Sequence, residues 1–118
     1  MSSVLIVTAR CSHHPLDLFQ IKLERVSSNA WQATRAFALQ RPRYDAAGSD
    51  QSAARGEIGL ARAYPGCPFC ADMGLMICGR CSKPSCWDGE SRTHRCPWCR
   101  VEQPIAGHIK ELRGNLDG

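Results

Sequence analysis

The chain has 118 residues and a formal net charge of +4, and eight of its residues are cysteine. This length favours one small domain, or two small lobes that share a core. The N-terminus lacks the basic region and long apolar stretch of a signal peptide, and no later segment approaches a membrane span, so we expect a cytoplasmic protein. In a reducing compartment, closely spaced cysteines favour metal binding over disulfide bonds.

The positive charge is spread along the chain and forms no basic block. Residues 1–62 contain eight Lys/Arg and five Asp/Glu, and residues 63–118 contain seven and six. A site of four thiolates and one Zn²⁺ carries a formal charge of about −2, so two such sites would reduce +4 to about zero. The charge therefore gives little support to nucleic-acid binding.

Two β-strands are predicted near the N-terminus. Residues 4–7 form a short β-branched run that is typical of a buried strand. Further along, Phe19, Ile21 and Leu23 alternate with polar residues, which is the period of a half-buried strand.

A third strand is predicted after a turn at residues 27–29. Its inward face would carry Trp31, Ala33, Phe37 and Leu39. Three consecutive strands joined by short turns predict an antiparallel meander.

The middle of the chain offers little to bury. Residues 40–56 are rich in Asp, Ala, Gly, Ser and Gln, and we predict an exposed, mobile loop with a helical turn at residues 53–55. Residues 58–64 are predicted to return to the sheet. Near the C-terminus, the spacing of Ile105, Ile109 and Leu112 suits a short helix that would continue to Leu116.

Two matching cysteine motifs dominate the second half of the chain. Residues 67–70 and 96–99 both read Cys-Pro-aromatic-Cys. Two residues between thiolates allow one tight turn to present both sulfurs to a metal, and two such turns complete a tetrahedral zinc site. A redox motif would need one pair at the start of a helix, and duplicated pairs argue against it. The predicted first site consists of Cys67, Cys70, Cys96 and Cys99.

A second zinc site is predicted from the remaining cysteines. Residues 75–77 and 85–87 suit the two strands of a hairpin that would gather three thiolates near one end, and Cys11 is the fourth cysteine left. This division gives a second site made of Cys11, Cys78, Cys81 and Cys86.

Three alternatives to this division stay open. In a cross-brace, Cys78 and Cys81 would share a metal with the 96–99 motif. Another alternative leaves Cys78 and Cys86 as ordinary buried thiols. The third takes its fourth ligand from a histidine, and the candidates are His13, His14 and His94.

Several segments resemble the TerY-C metal-binding domain. They are residues 65–70, the central cysteines, residues 85–90 and 96–99, together with 9–12, 19–21 and 31–37 in the N-terminal half. The resemblance covers residues 4–103. It implies a role in a bacterial chemical-stress assembly of the tellurite-resistance type, with a von Willebrand A domain and kinase or phosphatase components as partners.

The predicted fold is small and β-rich, with an antiparallel meander packed on a cysteine-ligated zinc ribbon. Its parts would be a meander lobe (residues 1–62), a ribbon lobe (63–103) and a C-terminal tail (104–118). We expect two structural Zn²⁺ ions and a protein-interaction function without catalysis, because all-cysteine sites leave no open position for water. The acids of residues 88–90 are interpreted as a solvated turn.

Two other binding functions are weighed against this one. A RING-like ubiquitin-transfer module fits poorly, because Cys11 lies far upstream of Cys67. A nucleic-acid-binding zinc ribbon is the alternative function. It would use the cations around the cysteine motifs, namely Arg80, Lys83, Arg92, Arg95 and Arg100.

Overall fold

A computed structural model describes residues 4–39, 52–105 and 111–116. Within these ranges all the regular elements are β-strands, and no helix there is long and apolar enough to cross a membrane. The strands are β1 (Val4–Arg10), β2 (Leu18–Ser27), β3 (Ala30–Ala38), β4 (Ser52–Arg55), β5 (Glu57–Leu60), β6 (Gly74–Ile77), β7 (Pro84–Trp87), β8 (Thr93–Arg95), β9 (Glu102–Pro104) and β10 (Glu111–Leu116).

The predicted meander is confirmed by β1, β2 and β3, which pair antiparallel in chain order. Alternate side chains of β1 and β2 point to one face, and the five side chains Leu5, Val7, Phe19, Ile21 and Leu23 are completely buried there. Burying a side chain of this size contributes roughly 1.5–3 kcal/mol. The burial of this face therefore helps to drive folding of the N-terminal half.

A β-bulge in β3 changes which of its side chains point inward. Lys22 pairs with Arg35 but Leu23 pairs with Ala33, so one extra residue of β3 lies between the two pairs. The extra residue reverses the alternation beyond it, and Ala36 packs against the core. The prediction that Phe37 points inward is therefore wrong, and its side chain is 42% exposed.

The sheet curls because β4 and β5 belong to its opposite edges yet are separated by one residue. The strand order is β4-β10-β1-β2-β3-β5. Between the two segments, Gly56 has a φ of +110°, and a Cβ there would overlap the carbonyl of Asn29. The chain thus turns the corner at a position that only glycine fits. The two edges meet at this corner and give the sheet a barrel-like shape.

The structure corrects two predictions about the segments beside this corner. Residues 52–55 form β4, with Ala54 completely buried, so the predicted loop and helical turn are wrong there. Residues 40–51 of the predicted mobile loop lie outside the described residues.

The predicted C-terminal helix is also wrong. Residues 111–116 form β10, which pairs antiparallel with β1 and β4. Leu112 is buried against this sheet with 1% exposure. Pairing on both sides outweighs the weak helical spacing, in which Gly107 and Gly114 disfavour a helix. Ile109 and Gly107 lie outside the described residues.

The cysteine-rich half consists of two short hairpins. The predicted hairpin is confirmed by β6 and β7, and a second one is formed by β8 and β9. The ribbon attaches to the curled sheet where β7 pairs parallel with β1 at Ser85 and Arg10. This attachment places the end of β1 beside the ribbon.

Candidate metal centre

The eight cysteines form two groups of four, here called tetrad A and tetrad B. In each, all four sulfurs lie within 4.8 Å of one another. Three Sγ–Sγ pairs, Cys70–Cys86 in tetrad A and Cys78–Cys99 and Cys81–Cys96 in tetrad B, lie 3.6 Å apart, and all eight thiols are free. A regular tetrahedron with Zn–S of roughly 2.3 Å has S–S edges of about 3.8 Å. Both groups therefore have the spacing of a four-thiolate metal site. Tetrad A consists of Cys11, Cys67, Cys70 and Cys86, and tetrad B of Cys78, Cys81, Cys96 and Cys99.

This division differs from the predicted one. The two Cys-Pro-aromatic-Cys motifs do not share a site, because residues 67–70 face Cys11 and Cys86 while residues 96–99 face the tip of the β6–β7 hairpin. The grouping of Cys78 and Cys81 with the 96–99 motif matches the cross-brace alternative. The eight predicted residues are thus brought together, but in different fours.

Residues 78–81 form a third Cys-x-x-Cys turn, which the predicted division had placed in the site with Cys11 and Cys86. All three turns share one backbone pattern, in which the residue after the second cysteine donates to the carbonyl of the first cysteine at 2.8–2.9 Å. The first cysteine in turn donates to the residue five positions on, at 2.9–3.1 Å. In the sequence, the signal for this third turn is the Cys-x-x-Cys spacing that residues 78–81 share with residues 67–70 and 96–99.

The residue that follows each turn has a left-handed backbone. The φ angles are 65° at Ala71, 62° at Ser82 and 68° at Arg100. Glycine commonly occupies this position because the left-handed region disfavours side chains. All three turns thus place a residue with a Cβ in this disfavoured conformation.

Backbone amides point at several sulfurs and stabilise the thiolate form. In tetrad B, the amides of Arg80 and Cys81 donate to Cys78 Sγ at 3.3 and 3.5 Å, and that of Trp98 donates to Cys96 Sγ at 3.3 Å. Burial raises the pKa of the Cys78 thiol, but the bonds from the Cys81 and Arg80 amides, together with hydrogen bonds to the Cys99 and Cys81 sulfurs, outweigh burial and lower the pKa to about 7. Cys78 is thereby prepared to act as a thiolate ligand.

Tetrad A joins the two halves of the fold. Cys11 follows β1, whereas Cys86 lies in β7. The intervening contact is made by Ser12, whose amide donates to Cys86 Sγ at 3.2 Å and whose hydroxyl donates to the Cys86 carbonyl at 2.6 Å. Burial raises the pKa of Cys86 to about 11. Three of the four cysteines of tetrad A are at most 3% exposed, so its sulfurs are largely shielded from water.

Trp98 packs between the ribbon and the end of β1. Its indole N–H donates to the carbonyl of Pro84 at 2.7 Å. The guanidinium of Arg10 lies 4.4 Å, and the ammonium of Lys83 4.6 Å, from the ring centroid. The contact with Arg10, which precedes Cys11 of tetrad A, connects that tetrad to the 96–99 turn, which carries two of the four cysteines of tetrad B.

The three described histidines, His13, His14 and His94, lie outside both tetrads. His94 is buried, and its Nε2 lies 3.0 Å from Ser85 Oγ and 3.3 Å from Ser12 Oγ. Burial lowers the pKa of His94, so its neutral form is favoured in this polar cluster. The alternative in which a histidine supplies the fourth ligand is wrong for both groups. His13 Nε2 instead lies 3.0 Å from Asp72 Oδ2, and His14 is exposed.

Asp88 lies in the predicted solvated turn. Its carboxylate accepts from the amides of Glu90 and Ser91 at 2.8 Å and from the Ser91 hydroxyl. Bonds from Ser91 and Glu90 lower the pKa of Asp88 to about 2. The adjoining Gly89 has a φ of 82°, which completes a tight turn.

Comparison with known proteins returned no matching family model, no matching curated protein and no matching solved structure. What the site could bind is therefore inferred from its donor atoms alone. Two sets of four thiols at tetrahedral spacing suit a thiophilic metal with four-coordinate geometry, such as zinc or iron. The conclusion that stands is that this small β-rich protein has two cysteine tetrads that could hold metal ions.

Proposed function

We propose that the protein is a structural two-zinc module of the cytoplasm that serves protein–protein interaction. The observation that carries this proposal is the pair of cysteine tetrads, each with all sulfurs within 4.8 Å. Structural zinc contributes on the order of 10 kcal/mol to folding. Two ions would therefore stabilise a 118-residue chain whose ribbon hairpins have only three or four residues per strand.

A structural role is favoured over catalysis by the donor sets. A catalytic zinc keeps one position for water or substrate, whereas four cysteines would fill every position of a tetrahedral ion. Burial supports the same role, since Cys11 is completely buried and Cys86 is 1% exposed. We therefore propose no enzymatic activity.

The first test is the number of metal ions per chain, measured by native mass spectrometry with zinc supplied during purification. We expect two ions in the wild-type chain. Each single variant, Cys11→Ser and Cys99→Ser, should retain one ion, and the exposed-turn variant Ser28→Ala should retain two. Zero ions in the wild-type chain would refute the proposal.

Alkylation of cysteines, mapped peptide by peptide, tests the assignment of ligands. In Cys11→Ser we expect Cys67, Cys70 and Cys86 to become reactive while tetrad B stays protected. Reactivity at Cys78 and Cys81 with protection at Cys67 would instead support the division predicted from sequence.

The proposed setting is a bacterial chemical-stress assembly of the tellurite-resistance type. Its support is the resemblance of the cysteine segments to the TerY-C domain, which implies a von Willebrand A domain and kinase or phosphatase partners. Co-purification of the zinc-loaded chain with a von Willebrand A domain tests this setting, with the zinc-stripped chain as control. Equal recovery of partner by both forms would count against a zinc-stabilised docking surface.

Nucleic-acid binding is the second candidate. It is favoured by four exposed arginines in the cysteine-rich half, namely Arg80, Arg92, Arg95 and Arg100. Phosphate contacts would make the affinity fall steeply with salt. Micromolar binding of DNA or RNA at physiological salt that is lost in Arg92→Ala/Arg95→Ala would favour this candidate over protein interaction.

A further inference from the structure

Within the described part of the chain, Cys70 is the one cysteine of tetrad A with appreciable exposure to solvent. Cys11, Cys67 and Cys86 are 0%, 3% and 1% exposed, whereas Cys70 is partly exposed. An ion that enters or leaves this tetrad through the described surface must therefore pass the sulfur of Cys70.

Two further metal-binding side chains flank that sulfur. The ligand atoms of His13, Cys70 and Asp72 all lie within 4.8 Å of one another. His13 Nε2 and Asp72 Oδ2 are 3.0 Å apart, and their side chains are 59% and 17% exposed. Imidazole nitrogen, carboxylate oxygen and thiolate sulfur are the three donor types that bind zinc in proteins.

The position of Asp72 is fixed by the metal-binding turn itself. Its carbonyl accepts from the amide of Cys67 at 2.9 Å, which holds residue 72 beside the turn. The same hydrogen bond is made by Lys83 in the second turn and by Val101 in the third. The three turns are thus alike in backbone, but only the first carries a ligand side chain at this position.

We infer that His13, Asp72 and the exposed side of Cys70 form an outer site for Zn²⁺ and similar divalent metals, through which tetrad A is loaded and emptied. This inference rests on the proposed function of tetrad A. Charge favours the arrangement, because the Asp72 carboxylate faces the incoming cation and the Cys70 thiol can give up its proton as it binds the metal. Water would complete the coordination of an ion held there.

The exchange of ligands balances without any redox change. His13, Asp72 and Cys70 bind the ion first, and the Cys70 thiol releases its proton to solvent. Cys67, Cys86 and Cys11 then each lose a proton to solvent as their sulfurs replace imidazole, carboxylate and water. Cys70 keeps its bond throughout and therefore acts as the pivot of the transfer.

The test measures zinc loss from each tetrad separately. Zinc-loaded full-length protein is mixed with excess EDTA, and pulses of isotope-coded N-ethylmaleimide report when each cysteine becomes reactive. The variants are His13→Asn, Asp72→Asn and the double variant, and His14→Asn is the matched control. Asp72→Asn keeps the backbone bond to Cys67 and nearly the same side-chain volume.

We expect the double variant to lose zinc from tetrad A about tenfold more slowly, the scale typical of groups that support a metal site. Tetrad B should empty at the wild-type rate, and His14→Asn should match wild type at both tetrads. In a titration with Cd²⁺ beyond two equivalents, wild type should bind a weak third ion that the double variant does not bind.

Opposite results separate this site from a simple structural contact. If the His13–Asp72 pair only braced the fold, its removal would speed zinc loss, and faster or unchanged loss from tetrad A overturns the inference. Equal slowing at both tetrads also overturns it. Wild-type protein in which the cysteines of tetrad A react at once, before EDTA is added, refutes the proposed function of that tetrad instead.

Discussion

Replacing the left-handed residue after a Cys-x-x-Cys turn with glycine should stabilise the protein. Arg100 has a φ of 68° and an exposed side chain with no hydrogen bond or ion pair in the described part of the chain. A left-handed backbone costs a residue with a Cβ roughly 1–2 kcal/mol. Glycine removes this cost but adds about 0.5–1 kcal/mol of unfolded-state entropy. The expected net gain for Arg100→Gly is therefore about 0.5–1 kcal/mol.

The gain should repeat at the other two turns. Ala71 and Ser82 are exposed and have the same conformation, so the triple glycine variant should gain about 2 kcal/mol if the sites are independent. For a chain of this length, 1 kcal/mol shifts Tm by about 4 °C. The assay is thermal unfolding of the metal-loaded protein at fixed free zinc, because bound metal itself raises Tm.

The matched control is Arg95→Gly, in strand β8. Arg95 is also exposed, but it is absent from the positions with positive φ, so glycine there should lower stability by about 0.5–1 kcal/mol. The two arginine variants should thus move Tm in opposite directions. A fall in Tm for Arg100→Gly that equals the fall for Arg95→Gly would refute the argument from backbone strain.

Three further perturbations have defined outcomes. Tyr64→Phe should raise the free energy of unfolding in urea by about 1 kcal/mol, because the buried Tyr64 hydroxyl has no hydrogen-bond partner among the described residues; a fall in that free energy would contradict an unsatisfied hydroxyl. Gly56→Ala should cost about 2 kcal/mol or more by the same assay, whereas Gly59→Ala, where a Cβ meets open space, should cost less than about 1 kcal/mol; equal costs would contradict the corner geometry. Lowering the pH from about 8 to 6 should speed metal loss to a chelator, because thiols must shed protons to bind metal and protonation therefore favours release; pH-independent loss would argue against thiolate ligation.

The sequence predicted the parts of the fold in which the hydrophobic period is local. The alternation at Phe19, Ile21 and Leu23 is the pattern of a strand with one buried face, and the three side chains are completely buried. Prediction from the sequence failed where pairing between distant segments determines the secondary structure. Leu112 has helical spacing to its neighbours but lies in a strand held by partners from β1 and β4.

The cysteines were identified as potential metal-binding residues, but their grouping was not predictable from motif likeness. The two motifs have the same sequence pattern, which suggested one shared site. Which sulfurs lie together depends instead on where the backbone places each turn. That placement depends on the contact between Arg10 and Ser85 and on the tip of the β6–β7 hairpin. Neither contact can be recognised from the sequence around residues 67–70.

The bulge in β3 could not be predicted from the sequence for a similar reason. Alternation alone predicts Phe37 inside, and a single extra residue moves it outside. A bulge bends its strand to fit the curvature of the whole sheet, and the residue pattern of one strand does not specify that curvature.

The position of Cys11 has a consequence for how the chain holds together. A metal in tetrad A would tie Cys11 to Cys67, closing a loop of 55 intervening residues, since 67 − 11 − 1 = 55. In tetrad B the corresponding link from Cys81 to Cys96 encloses 14 residues, since 96 − 81 − 1 = 14. By the chain-entropy relation for covalent cross-links, closing these loops removes about 4 and about 3 kcal/mol of unfolded-state entropy. Tetrad A would thus act as a reversible cross-link, and pulling apart the curled sheet and the ribbon would require breaking metal–sulfur bonds.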